Sequence, residues 1–349
     1  MTSMQRRGVL RAAVPLAAGI ALVGPSGRPA RAAKLIRGAG ATFPAPLYAR
    51  WIEEFAKAHA EVAIEYDAVG SGEGVSRLIV GAVDFAASDA AMSDEQIAKV
   101  PAGVKMIPAT AGLVSVIYNV PGLLAPLRLS RDLLAAIMLG EVTEWDNPRI
   151  AEANPGVTLP RRTIAVVARL ESSGTTFALT NHLSAISDAW RTTRGAANRI
   201  DWPGGTMLMR GNEGVAGRVL QTEYSLGYAE LGFAQRLGLQ TAELQNAAGA
   251  FVAPSRASGE AALAASADDM PEDLRLFIAD PKGADAYPIA TFSWLLLYGA
   301  YADEGTRSAL ADFVRYGLTD GQVIAAELGY VPLPAAVAER ALAAVTGLS

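Results

Sequence analysis

The chain has 349 residues, 51% hydrophobic and 19% charged, with 30 Lys+Arg against 35 Asp+Glu for a net charge of −5. That composition excludes wholesale disorder, and the interspersed charges leave no basic face for a nucleic-acid backbone. Cysteine is absent and histidine occurs only as His59 and His182, which excludes disulfides, thiolate metal sites, a lipid-bearing N-terminal cysteine and a histidine-rich metal site.

Residues 1–32 read as an export signal. Arg6-Arg7 precede an apolar run from Ala12 to Gly24 that is too short to span a bilayer, and Ala30-Arg31-Ala32 places small residues at −3 and −1 of a cleavage site after Ala32. The pair followed by Gly8-Val9-Leu10 is similar to a twin-arginine signal, with Gln5 and Val9 departing from its commoner residues; a general secretory signal is the alternative. A mature protein soluble in the periplasm is expected. The length exceeds what one core usually fills, so two lobes are expected as well.

Beyond residue 32, short β-rich runs alternate with amphipathic helical runs, the pattern of α/β layering. Ala41-Thr42-Phe43-Pro44 supplies hydroxyl and proline start signals for a helix over Pro46–Phe55. Val62–Tyr66 reads as a strand, Gly70–Gly74 as a turn and Val75–Val80 as a helix. Val83-Asp84-Phe85-Ala86-Ala87-Ser88-Asp89 is an apolar run that ends in an acid. Thr163–Ala168 is a strand, followed by Arg169-Leu170-Glu171-Ser172-Ser173-Gly174-Thr175-Thr176-Phe177 and a helix over Phe177–Leu183. Pro121-Gly122, Asn154-Pro155-Gly156 and Trp202-Pro203-Gly204-Gly205 read as turns. The stretch 247–280 is polar and Ala-rich with helical character around Gly259–Ala267, Tyr287–Leu297 is a buried strand, and Asp303–Ala343 is mostly helical. The last helix, Pro334–Ala344, is expected to pack back onto the first lobe.

The loop after Arg169 admits three chemistries. A serine nucleophile needs a base within reach, but the G-x-S-x-G elbow is absent, His182 lies about two turns into the following helix, and His59 ends a polar helix. A nucleotide loop needs a lysine after the last glycine, and none follows Gly174; Gly70-x-Gly72-x-Gly74 only partly matches a dinucleotide loop. An anion site uses what is present: N–H groups at a helix N-terminus, hydroxyls on Ser173 and Thr175, and the guanidinium of Arg169, oriented by Glu171. The plain alternative is an N-cap cluster beside a surface Arg-Glu pair.

Thr42-Phe43 and Ser71-Gly72 repeat the same design of hydroxyl and helix start. Asp89 breaks it, because an acid repels an anion unless the anion carries a proton to donate, as HPO₄²⁻ does and sulfate does not. The alternative for Asp89 is an N-cap of a helix after Ala91.

Gly38-Ala39-Gly40-Ala41-Thr42-Phe43-Pro44-Ala45-Pro46-Leu47-Tyr48, Gly70–Gly74, Val83–Asp89 and Arg169–Phe177 together closely resemble the periplasmic phosphate-binding protein of the phosphate-specific ABC importer family. Further matches run through Leu139–Pro148, Gly211-Asn212-Glu213-Gly214-Val215, Gly227-Tyr228-Ala229-Glu230 and Tyr287-Pro288-Ile289, so the resemblance extends from about residue 36 to the end. It implies a two-lobed α/β periplasmic binding protein, type II-like, with a mixed sheet flanked by helices in each lobe and the ligand in the cleft. It implies a monomer without cofactor or metal that is not an enzyme, binds inorganic phosphate and delivers it to the membrane permease and ATPase subunits of an importer. Carried over residue by residue, the ligand set is Thr42, Phe43, Ser71, Asp89, Arg169, Ser173, Gly174 and Thr175, with Glu171 bracing Arg169 where an aspartate is commoner. Lobe I is expected over 33–109 plus 290–349 and lobe II over 110–289, the chain crossing near Ala109–Gly112 and Pro288–Thr291. Alternatives are another oxyanion (arsenate, sulfate or molybdate) or a secreted phosphatase.

Overall fold

The structure is a computed structural model that describes residues 33–348. The export signal expected over 1–32 lies outside the described residues. Nine strands form one sheet: β1 (Lys34–Gly40), β2 (Val62–Ala68), β3 (Phe85–Ser88), β4 (Val104–Asn119), β5 (Ala165–Arg169), β6 (Met207–Met209), β7 (Ser225–Glu230), β8 (Gln240–Thr241) and β9 (Ala290–Tyr298). Their order is β2-β1-β3-β9-β4-β7-β5-β6, with β8 also paired to β4.

β4 is 16 residues long and buried for most of its length. Its first part, Val104–Leu113, pairs antiparallel with β9, and its last part, Val114–Asn119, pairs antiparallel with β7. One strand thus belongs to two half-sheets, β2-β1-β3-β9-β4 and β4-β7-β5-β6, and the fold is a two-lobed mixed α/β architecture. Burial follows position in the sheet. The outer strand β2 alternates Ile64 and Tyr66 with the more exposed Glu65 and Asp67, whereas β9, flanked on both sides, is buried except at Tyr298.

Helices cover the half-sheets. α1 (Ala45–Ala58) starts at Pro44, carries a second proline in its first turn and buries Leu47, Tyr48, Trp51 and Phe55. The indole Nε1 of Trp51 donates to the carbonyl of Gly321 at 2.8 Å. α2 (Ser71–Ile79) begins at Ser71, so most of the stretch expected as a turn is helix. The bend is confined to Gly70, whose φ of 100° is open to glycine, and the helix follows at once. α3 (Gly174–Ile186) likewise begins three residues before the expected Phe177, because Ser173 caps it. α4 (Gly211–Gln221) and α5 (Leu231–Leu237) follow β6 and β7. α6 (Glu304–Leu318) packs on α1, and α7 (Ala335–Thr346) packs on α6 and β4, which places the last helix back on the first lobe as expected.

His182 is buried in α3, where its Nδ1 donates to the carbonyl of Ala279 at 2.8 Å and burial pushes its pKa down to about 4. It is a neutral core residue, far from the start of its helix. His59 caps α1 and stacks on Phe55 at 4.0 Å.

Candidate functional site

β1, β2 and β3 run parallel to one another, and β5 runs parallel to β6 and β7. The carboxyl ends of parallel strands are where open α/β sheets form their ligand crevices. Every residue singled out above sits at such an end. Thr42 and Phe43 follow β1, Ser71 opens α2 after β2, and Asp89 follows β3. Arg169 ends β5, and Glu171, Ser173, Gly174 and Thr175 lie between it and the first turn of α3.

Direct contacts join the two lobes. Ser71 Oγ accepts the N–H of Gly174 at 3.1 Å and the N–H of Asp89 at 3.3 Å. Gly174 has no alternative there: a Cβ would lie 2.6 Å from Asp89 Cβ and 2.7 Å from Ser71 Oγ. Thr42 Oγ1 accepts the side-chain amide of Asn212 at 3.0 Å and its backbone N–H at 3.2 Å. The same amide donates to Thr175 Oγ1 at 3.2 Å. Ser173 Oγ accepts Thr176 N–H at 3.2 Å as the helix cap, and the Ser173 N–H donates to the carbonyl of Asn198 at 2.8 Å. In this closed arrangement Ser173 serves the helix, while the N–H of Thr175, in the first turn, has no intrahelical carbonyl to bond. Phe43 turns its ring into the core against Tyr330, and its carbonyl accepts the Tyr330 hydroxyl at 2.7 Å.

Two charged groups face each other across this junction. Arg169 is 3% exposed. Its Nε donates to Glu171 Oε1 at 2.9 Å, its Nη2 to the same oxygen, and its Nη1 to Thr175 Oγ1 at 3.3 Å. Glu171 Oε1 also accepts the N–H of Gly211 at 3.0 Å. The glutamate therefore braces the arginine and ties it to the start of α4. This contact excludes the plain alternative of a surface pair.

Asp89 is 1% exposed. Its Oδ1 accepts the hydroxyl of Ser293 on β9 at 2.8 Å, and its Oδ2 is buried without a hydrogen-bond partner. Burial pushes its pKa up to about 7, against the downward pull of the Ser293 hydroxyl, the Arg169 charge and the nearby Ser71 hydroxyl. A carboxyl so placed can accept a hydrogen bond when ionised or donate one when protonated. Asp89 is not a helix cap: the next helix, Asp94–Ile97, is capped by Ser93 in a capping box with Gln96.

Several supporting residues escaped sequence reasoning. Asn212 lies in the Gly211–Val215 motif, where nothing in its own sequence neighbourhood assigns it a role. Tyr228 accepts the Arg169 N–H at 3.2 Å and shares a 2.7 Å hydrogen bond with Thr176. Ser293, like Thr291, is a hydroxyl set among the apolar residues of the buried strand β9, and that pairing is the available signal. Glu230, whose pKa burial pushes up to about 8, caps α5 by accepting the Gly232 N–H at 2.7 Å, and its own N–H donates to Asn212 Oδ1 at 3.0 Å. A cavity of about 710 Å³ adjoins the junction and has Glu73, Glu171, Asn198, Arg199 and Arg210 on its wall. Among the described residues no group of three or more His, Asp or Glu side chains is arranged to hold a metal ion, and no helix is long and apolar enough to cross a membrane.

Comparison with known proteins places this geometry in a lineage. The family model described as PBP superfamily domain matches residues 25–320. The phosphate-binding protein PstS of Pasteurella multocida is 38% identical over 309 residues, covering 88% of this chain and 89% of that protein. PstS of Methanocaldococcus jannaschii is 37% identical over 333 residues, covering 89% and 85%. Among solved structures, a high-affinity periplasmic phosphate-binding protein bound with phosphate, PfluDING, superposes with a TM-score of 0.72 at 23% identity over 88% of this chain and 93% of that one. The phosphate-binding protein from Stenotrophomonas maltophilia gives 0.70 at 19% identity, over 89% and 93%. The chain therefore belongs to the PBP superfamily and, within it, to the family of the phosphate-binding protein PstS.

Proposed function

We propose that this protein binds one inorganic phosphate ion between its lobes in the periplasm and presents it to the permease and ATPase subunits of an ABC importer, without performing chemistry on it. One observation carries the ligand assignment: a buried acid, Asp89, with one oxygen unpartnered, set beside the N-terminus of α3 and within the field of Arg169. A helix N-terminus and an arginine attract any oxyanion. The acid admits the one that brings a proton to Oδ2. Sulfate, fully ionised near neutral pH, brings no proton to that oxygen and faces an ionised Asp89 as a like charge, so it can pair only where Asp89 keeps its own proton; molybdate shares the defect. Arsenate carries a proton as phosphate does and belongs to the same chemical class. The relatives named above are phosphate-binding proteins, which favours phosphate within that class.

The ligand set in this reading is the hydroxyls of Thr42, Ser71, Ser173 and Thr175, the backbone N–H groups at Thr42, Phe43, Ser71, Gly174 and Thr175, the guanidinium of Arg169, and Asp89 as proton acceptor. Lobe I comprises 33–109 plus 290–349 and lobe II 110–289. Neither lobe alone offers both the cation and the acid, so phosphate favours the closed form through contacts that exist only there. A twin-arginine signal over 1–32 delivers the monomer to the periplasm. A secreted phosphatase would need an activated nucleophile or a metal; the site serines serve as helix start and cap, and the buried His182 is held by Ala279.

Calorimetry on ligand-stripped protein tests the assignment. Phosphate should bind one to one, excess sulfate should not compete, and Asp89→Asn should weaken the discrimination against sulfate by roughly 100-fold or more. Absence of heat with phosphate, or unchanged sulfate exclusion in Asp89→Asn, would sink it.

A further inference from the structure

Asn212 occupies a position that the phosphate reading does not use. It is the second residue of α4, buried, in the half-sheet that also carries Thr175, and it reaches Thr42 in the other half. Its orientation is settled by a neighbour that can only donate. The backbone N–H of Glu230 lies 3.0 Å from Oδ1, so the oxygen faces Glu230 and the NH₂ faces the two threonines.

A hydroxyl oxygen has two lone pairs and one proton. Thr42 Oγ1 receives two N–H donors, the Asn212 backbone at 3.2 Å and its Nδ2 at 3.0 Å. Thr175 Oγ1 also receives two, Arg169 Nη1 at 3.3 Å and Asn212 Nδ2 at 3.2 Å. Both oxygens are saturated as acceptors, and what remains to each is the proton. The two protons of one NH₂ group suffice for both contacts, so a single side chain fixes the polarity of one hydroxyl in each lobe.

We infer that Asn212 is a positioning residue that turns the hydroxyls of Thr42 and Thr175 into dedicated hydrogen-bond donors, so that the closed cleft accepts only a ligand whose oxygens face them as acceptors. The inference rests on the phosphate reading and adds to it a division of labour. Asp89 supplies the place for a ligand proton, and Asn212 removes any such place at the two threonines. A ligand with a second proton, or with an amide or hydroxyl in the anion's position, meets donors only.

The test is a pair of double-mutant cycles on phosphate affinity, measured by calorimetry with inorganic phosphate on the full mature chain. Asn212→Leu, close in size and unable to donate, should weaken binding roughly 10- to 100-fold. In a Thr175→Val background and, separately, in a Thr42→Val background, the same substitution should cost only about three- to tenfold, because one of the two hydroxyls whose protons it aims is gone. Asn212 and Thr175 lie in the same half of the sheet, so a mere clasp between lobes would couple to Thr42 alone. Coupling to Thr42 without coupling to Thr175 overturns the inference in favour of a clasp, and full multiplication of effects in both cycles overturns it in favour of packing. Wild-type protein that takes up no phosphate overturns the phosphate reading itself, a result distinct from either. Should Asn212→Leu fail to show one cooperative thermal transition by circular dichroism, Asn212→Ala is read in the same two cycles.

Discussion

In the proposed ligand set the two sides of the cleft would hold an anion by opposite means. On the side built from β5 and α3, Arg169 and a helix N-terminus attract, and Glu171 is spent on bracing the arginine through the same oxygen that accepts Gly211 N–H. On the side built from β1, β2 and β3, the charged side chain at the junction is an acid, Asp89, held by Ser293. Attraction and selection therefore reside in different lobes. On that reading an open form would gather oxyanions on the arginine side without distinguishing them, and discrimination would begin only when closure brings Asp89 against the ligand. The difference between the sides makes closure the step at which specificity is set.

The sharpest way to break this comparison is Arg169→Met. It removes the attracting charge and leaves the largely buried carboxylate of Glu171 without its partner, at a cost of about 3–5 kcal/mol, or roughly 10²- to 10³-fold or more in phosphate affinity by calorimetry. Retention of affinity within tenfold would mean that attraction does not reside on that side.

The acid side is probed by pH. The folded pKa of Asp89 is raised, from 3.8 to about 7, so the folded state holds its proton over a range where the unfolded chain releases it. Its contribution to stability is fully present below 3.8 and is lost as pH rises through about 7. At about 1.4 kcal/mol per pKa unit, ligand-free protein should lose up to about 4 kcal/mol between pH 4 and 8 relative to Asp89→Asn. Chemical denaturation of both proteins across that range is the measurement; parallel curves would show that Asp89 is not the strained acid described. Glu230, raised to about 8 chiefly by burial, slopes the same way in both proteins and cancels in the difference except for the smaller part of its shift that the Asp89 charge contributes.

Gly174→Ala tests the meeting of the sides rather than either one. Its methyl would overlap Asp89 and Ser71, so closure should cost about 1–3 kcal/mol, seen as a 10- to 100-fold loss of phosphate affinity and as loss of ligand-induced compaction in small-angle scattering. Glu171→Asp has the smallest effect. The shorter acid keeps Arg169 but withdraws from the Gly211 N–H, for a loss of about 1 kcal/mol, or roughly fivefold in affinity. Tighter binding in that variant would show that the commoner aspartate is the better brace.

How much of this was legible beforehand followed the range of the interactions. Strand, loop and helix at Ala165–Ile186 are local events, written in one run of hydrophobic and capping residues, and the sequence reading differs from them only at the element ends: the strand is Ala165–Arg169 rather than Thr163–Ala168, and the helix Gly174–Ile186 rather than Phe177–Leu183. The Arg169–Glu171 pair spans two positions, and the brace could be anticipated. Asp89 was ambiguous between cap and ligand, because what makes it an unusual acid lies far along the chain: Ser293 is 204 positions away. Asn212 is 170 positions from Thr42, and nothing in its own neighbourhood hints at the contact. Local chemistry was visible; the burial and partners that set its protonation and polarity exist only once the sheet is assembled.

The placement of β9 between β3 and β4 orders events in time as well as space. Residues 290–298 separate two strands that are complete by residue 119, so the first lobe's sheet stays split during synthesis until nearly the whole chain is available. The strands of the second lobe, by contrast, are contiguous in sequence from the end of β4 to β8. The second half-sheet can therefore pair from segments made early, whereas the first needs a late strand between two early ones, a long-range closure of the kind that is intrinsically slow.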